Sequence, residues 1–354
     1  MDLLSGTSLP NLHPALVHFP VALLFVGALA EAGALAVRRA AWLDRAAAAA
    51  WSLGAASAVA AYLSGRRAAD GLPLPAPEVQ AAIGRHADAA FWTATAAVLL
   101  AVVRLALLYA GARKGGDTHP AGRAVVLAAS LPLLALVAVT ADRGGALVFR
   151  HGVAVARENA PEPSAPAPRS GVTIDEDGAV AWEPGPGSES DLGSAIAIVT
   201  GGPGASVRPA GVGEAQGLAL DVHGRIFLLL PGRFGDVQVD AEVERARFTG
   251  RVGLVHHFRG PGDFGAFVLG PGGTARLVDE RDGTVEELDE ATVGEPGTTV
   301  SLAVAAHGSH LKGYVGGDLA AHGHTSAPPP GRTGLWLDGE GRVTIREVRA
   351  FPAD

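Results

Sequence analysis

Cysteine is absent from the 354 residues, methionine occurs once, and aromatic side chains make up 5% of the chain. Without thiolates there is no disulfide, no cysteine-held iron–sulfur cluster and no covalent c-type haem, so any bound metal must rest on His, Asp or Glu. A cysteine-free chain suits either side of a membrane. Charge of one sign is also scarce in each half. Residues 1–157 hold 8 acids and 13 bases, a net +5. The rest of the 36 acids and 28 bases leaves 28 and 15 for residues 158–354, a net −13. An acidic, aromatic-poor second half argues against nucleic acid as a partner.

What the first half lacks is a polar face. Four apolar segments, about residues 15–37, 44–63, 87–112 and 123–148, are each long enough to cross a hydrocarbon core of roughly 30 Å. A soluble bundle would show polar residues at helical spacing, and a run such as AAAAAWSLGAASAVAAYL has none. Four membrane helices are expected. Short cytoplasmic loops are rich in Lys and Arg. Arg38, Arg39 and Arg45 mark the first loop, Arg113, Lys114 and Arg123 the third, and the N-terminal tail has no base. Arg66, Arg67 and Arg85 in the second loop pull the other way. The balance favours a multi-pass cell-membrane protein with both termini extracytoplasmic. No cleavable leader is expected, because no basic flank precedes the first apolar run.

Histidines gather at one expected membrane level. His13 and His18 open the first apolar segment in NLHPALVHFPVALLF, His86 precedes the third and His151 follows the fourth. Neutral imidazole ligates haem iron, copper and zinc, so His13, His18, His86 and His151 form a candidate cluster for b-type haem or a His-bound metal. Arg66, Arg67 or Arg85 would meet haem propionates. The competing reading makes them interfacial residues bonded to carbonyls freed by Pro14 and Pro20, and a proton-handling role stays open beside both. Deeper in the segments, Glu31 and Arg104 fall at similar depth by helical rise, and an ion pair or an Arg104 that snorkels to the interface is expected ahead of a functional charge. Gly27, Gly33 and Gly54 suit close helix packing.

HPALVHFPVALL, a later His before the third segment, and TADRGGALVFRHGVAV resemble the bacterial membrane family called domain of unknown function 2231, over about residues 11–157. Relatives of this kind are joined to c-type cytochrome or Rieske-type domains, which implies membrane electron transfer. The missing cysteines show that this chain carries neither partner domain.

Alternating proline with small and charged residues, RENAPEPSAPAPR, predicts an extended spacer. The expected organisation is a membrane domain at 1–156, a linker at 157–170 and a β-sandwich at 171–354. In that last part, alternating runs such as DVQVDAEVE, GRVGLVHHF, TVSLAVAAH, GLWLDG and VTIREV lie between Pro-Gly, Asp-Gly and Gly-Gly turns, which predicts an all-β antiparallel sandwich.

The order GRVGLVHHFRGPGDFGAFVL, ARLVDERDGTVEEL, TVSLAVAAHGSHLKGYVGGDL and GRTGLWLDGEGRVTIREVRAF resembles concanavalin A-like jelly rolls of the laminin-G type, and especially the 3-keto-disaccharide hydrolase-like domains. That fold implies glycan binding, protein binding or sugar cleavage. Trp336, between Leu335 and Leu337, is expected in the core. Among acids such as Glu242, Glu244, Asp279 and Glu280 the sequence selects no catalytic pair, and the expectation leans away from an enzyme. A second histidine set, His256, His257, His307, His310, His322 and His324, reads by default as exposed loop histidines, with a metal site conceivable if the HGSH and HGH turns converge. The favoured function is a membrane-anchored binding or accessory module whose sandwich engages a glycan or a protein. The alternatives are a haem- or metal-containing redox component and a sugar-processing enzyme.

Overall fold

A computed structural model describes residues 12–37, 41–114, 116–153, 171–212 and 217–353. The expected linker lies outside these residues, as do Arg38 and Arg39. Two compact units emerge, Met1–Gly71 with Ala82–Asn159, and Leu72–Ala81 with Ala160–Asp354.

The first unit is helical: α1 (His13–Leu16), α2 (His18–Ala36), α3 (Ala41–Asp70), α4 (Pro77–Arg113) and α5 (Pro120–Phe149). α1 and α2 act as one 24-residue apolar span, and α3, α4 and α5 are each long and apolar enough to cross a membrane. α3, α4 and α5 outrun the expected segments at both ends. Arg66, Arg67 and Arg85 therefore lie on α3 and α4, and Arg123 lies inside α5. Their apolar neighbours alone set the expected boundaries, whereas the backbone ladder continues into polar sequence. α2 and α3 approach closely because a Cβ on Gly27 would meet Trp51 at 2.9 Å and one on Gly54 would meet Leu24 at 2.8 Å. At Gly33 the approach to Leu43, 3.5 Å, is ordinary contact.

Among the described residues the second unit is an antiparallel, jelly-roll-like sandwich of thirteen strands. Two long strands run through it, β6 (Val237–Gly260) and β13 (Arg332–Pro352), paired along nearly their whole length. Runs that look like separate strands in the sequence, DVQVDAEVE and GRVGLVHHF, are thus two halves of β6. One sheet takes the second half of β6 with β7 (Asp263–Leu269), β8 (Thr274–Arg281) and β9 (Thr284–Thr292). The first half of β13 joins it to β5 (Leu218–Leu229), which pairs β3 (Ala197–Thr200) and β4 (Ser206–Val212). The other sheet takes the first half of β6 with β10 (Thr299–His307), β11 (His310–Val315) and β12 (Asp318–His324), and the second half of β13 with β2 (Val180–Glu183) and β1 (Gly171–Ile174).

Register shifts at Arg342/Thr344 and Ile345/Glu347 bend β13 between the sheets. Near the bend Gly250 pairs Gly339, and a Cβ on either would fall 2.3 Å from a carbonyl of the facing strand, so only glycine lets the backbones meet there. The core between the sheets takes one alternate set from each strand, for example Ile226, Val239, Leu254, Leu277, Leu311 and Leu335. The other alternate set faces outward on both sheets.

Candidate functional site

Antiparallel helices place the starts of α1 and α4 beside the ends of α3 and α5. Two histidines meet there. The rings of His13 and His86 lie 6.5 Å apart between centroids, at 73°. His13 Nδ1 is 3.0 Å from Ala61 O and 3.2 Å from Ser64 Oγ on α3, and His86 Nδ1 is 3.1 Å from Thr140 O on α5. A carbonyl only accepts, so Nδ1 carries the proton in each neutral ring and Nε2 the lone pair. Each ring rests on a glycine: a Cβ at Gly65 would lie 2.8 Å from His13 Cε1, and one at Gly144 would lie 3.0 Å from His86 Cε1. His18 is exposed and His151 is half-buried after α5, and neither joins this ring contact.

At the other end of the helices is a buried charge network. Glu31 stands 18 residues after His13, and Arg104 18 residues after His86, which is about 27 Å of helix in both cases. Arg104 donates from Nε to Glu31, from Nη2 to the Asp44 carboxylate and carbonyl, and from Nη1 to Thr118 Oγ1. Thr118 N–H donates to Asp44 Oδ2 at 2.9 Å. Arg123 lies 3.3 Å from Asp44 Oδ1 and donates to Ala34 O. The Glu31–Arg104 pair was legible from helical rise. Asp44 and Arg123 were missed because each stands at the boundary of an apolar segment, where it reads as loop charge.

The sandwich carries a cleft of about 250 Å³ on the outward face of its first sheet. Trp336 forms its floor, only 4% exposed, with Leu335 and Leu337 on the core side as the alternation expects. Arg225 and Arg251 stand over the indole, with Cζ 5.6 Å and 5.5 Å from a ring centroid. Asp338 holds Arg251 at 2.6 Å, and Glu280 lies 3.5 Å from Arg225. Phe264, Arg276 and Glu287 complete the wall. The indole Nε1 is buried with no hydrogen-bond partner among the described residues. Of the four acids named from sequence only Glu280 lines this cleft. Asp279 faces inward to Arg281 and Thr325, and Glu242 and Glu244 pair with Arg346. No sequence signal could assemble Arg225, Arg251 and Trp336, because they meet only through the β5–β13–β6 register.

The second histidine set is not loop-borne. His256 and His257 lie on β6, Nδ1 to Nδ1 at 2.8 Å, sharing one proton. Burial pushes both imidazoles below their usual range, His256 furthest. His307 and His310 close the β10–β11 hairpin, and His322 and His324 lie on β12.

Among solved structures, the sandwich is similar to a Bacillus subtilis carbohydrate-binding module, CBM66 (13% identity, 45% of this chain and 97% of that one, TM-score 0.38). It is also similar to a Bacillus subtilis protein of unknown function with a galectin-like fold (12%, 48% and 97%, 0.37) and to a Bacillus licheniformis β-glucanase (13%, 51% and 98%, 0.32). These likenesses concern the fold. No curated protein matches the chain. Residues 9–157 match the family model described as predicted membrane protein (DUF2231), so the chain joins a membrane domain of that kind to a jelly-roll-like sandwich.

Proposed function

We propose that the protein is a membrane-anchored binding module whose sandwich, held outside the cytoplasm with both termini, engages a glycan through the Trp336 cleft. One observation carries this reading: an indole lies beneath two guanidinium groups that carboxylates hold in place. Sugar hydroxyls both donate and accept. Fixed arginines supply donors and Glu280 and Glu287 supply acceptors around an apolar floor, which is the mixture a polyhydroxylated ligand needs. A volume of about 250 Å³ suits a terminal sugar unit better than a long chain. The test is retention of the full-length, detergent-purified protein on a glycan array. Arg225→Ala/Arg251→Ala should abolish retention and leave the circular dichroism spectrum intact. Retention unchanged in that variant would refute the assignment.

A second reading rests on His13 and His86. Two imidazoles on opposite sides of one ion place their centroids about 6 Å apart, given bonds of about 2.0–2.1 Å, and the observed 6.5 Å matches. Helix carbonyls at both Nδ1 atoms fix the tautomer, as outer partners do for ligating histidines. Haem iron or a bare metal at this level would give the helical unit a redox role. A Soret band or a metal equivalent lost in His86→Ala supports it; a colourless, metal-free protein refutes it.

A further inference from the structure

A different group of side chains lies on the outward face of the second sheet. β11 and β12 pair antiparallel with His310 opposite His324 and Lys312 opposite His322. Directly opposed residues, and residues two apart on one strand, share a face. Leu311 and Ala321 point into the core, so His310, His322 and His324 project together from the other side. Ring centroids are 4.8 Å apart for His310 and His324, 5.0 Å for His322 and His324, and 6.4 Å for His310 and His322. One ring nitrogen of each lies within 4.8 Å of the other two.

We propose that His310, His322 and His324 form a binding site for a divalent transition ion of the zinc or copper type. Imidazoles around a tetrahedral ion at about 2.0–2.1 Å lie about 3.3 Å from one another. Small χ rotations close the remaining gap. The ligand set contains no carboxylate, and three neutral imidazoles suit zinc, copper or nickel and not magnesium or calcium. The backbone beneath is held on both sides. His322 N–H donates to Asp289 Oδ2 at 2.8 Å, and Thr325, next to His324, bonds Ser309 O through its N–H and Asp279 through its hydroxyl. His324 is exposed and the other two are half-buried, so the ion would keep a position open to water or an external ligand. Lys312 shares this face opposite His322. The site is independent of the glycan cleft, which occupies the other sheet.

The test is a cobalt(II) titration of the untagged, chelator-stripped full-length protein in detergent, followed by zinc displacement. Visible ligand-field bands of tetrahedral cobalt, bleached by zinc and saturating at one ion per chain in the His13→Ala/His86→Ala variant, are expected. His324→Ala, at an exposed position, and His310→Gln/His322→Gln should each weaken binding by more than roughly tenfold, the loss that even an outer partner produces. The His13→Ala/His86→Ala double variant should leave these bands unchanged, which separates this site from the helical one. Absence of the bands in the wild type, or their persistence in both His324→Ala and the double glutamine variant, would overturn the proposal.

Discussion

The two units of this protein expose opposite kinds of surface. The helical unit hides a neutral network of two acids and two arginines, Glu31, Asp44, Arg104 and Arg123, and exposes Leu29 at 71%, Trp42 at 69% and Phe149 at 89%. The sandwich hides Phe227, Phe267, Leu335 and Trp182 and keeps most of its ion pairs, such as Arg276 with Glu290 or Arg342 with Asp221, at the surface. Each pattern is a response to solvent. In lipid the apolar surface costs nothing and charges must be paired inside; in water the reverse holds. The chain is divided by what surrounds each half more than by any sequence boundary.

Removing charge should therefore hurt most in the helical unit. Arg104→Gln strands Glu31 and Asp44 in a dry interior and should destabilise that unit by about 3–5 kcal/mol, read as loss of folded protein on heating in detergent. Less than about 1 kcal/mol would mean that water reaches the network. Steric change should hurt most in the sandwich core. A Cβ on Gly313 would lie 2.2 Å from Phe267, so Gly313→Ala should cost about 1–3 kcal/mol in chemical denaturation of the sandwich, and an unchanged midpoint would show that the ring moves aside.

A half-buried carboxyl on the outward face of the second sheet sharpens the contrast through pH. Burial pushes the Asp240 carboxyl up to about 6, against a smaller opposing hydrogen bond from Gln238. The folded state thus binds this proton more tightly than the unfolded state, whose carboxyl titrates near 3.8. Its contribution to stability is fullest below about pH 4 and is lost as pH rises through about 6. Asp240→Asn should flatten that slope and gain on the order of 1–3 kcal/mol at pH 7; equal slopes in both proteins would refute the assignment. The smallest effect belongs to the surface. Arg276→Ala should change stability by roughly 0–1 kcal/mol and lose even that in high salt, whereas the Arg104 network should be indifferent to salt.

Legibility followed the range of each interaction. Apolar length alone revealed four spans, and helical rise along two of them brought Glu31 level with Arg104. The histidine partners needed more. Five residues separate His13 from His18, about 140° of helix at 3.6 residues per turn, so both cannot face the same neighbour. Which one meets His86 depends on how the helices rotate, and it is His13. In the sandwich, HGSH and HGH read as separate loops because DLAAHGH gives no clear alternating signal. Only the β11–β12 register places His324 opposite His310. The halves of β6 and of β13 likewise looked like separate strands, since a bulge or a glycine in a long ladder resembles a turn in the sequence.

Glycan capture by the Trp336 cleft is the central claim. Its most direct test compares wild type and Arg225→Ala/Arg251→Ala, both full-length and reconstituted in lipid nanodiscs, on one glycan array. The account predicts saturable retention of the wild type on at least one glycan class and none of the folded variant. Absence of retention by the wild type, or equal retention by both, would contradict it.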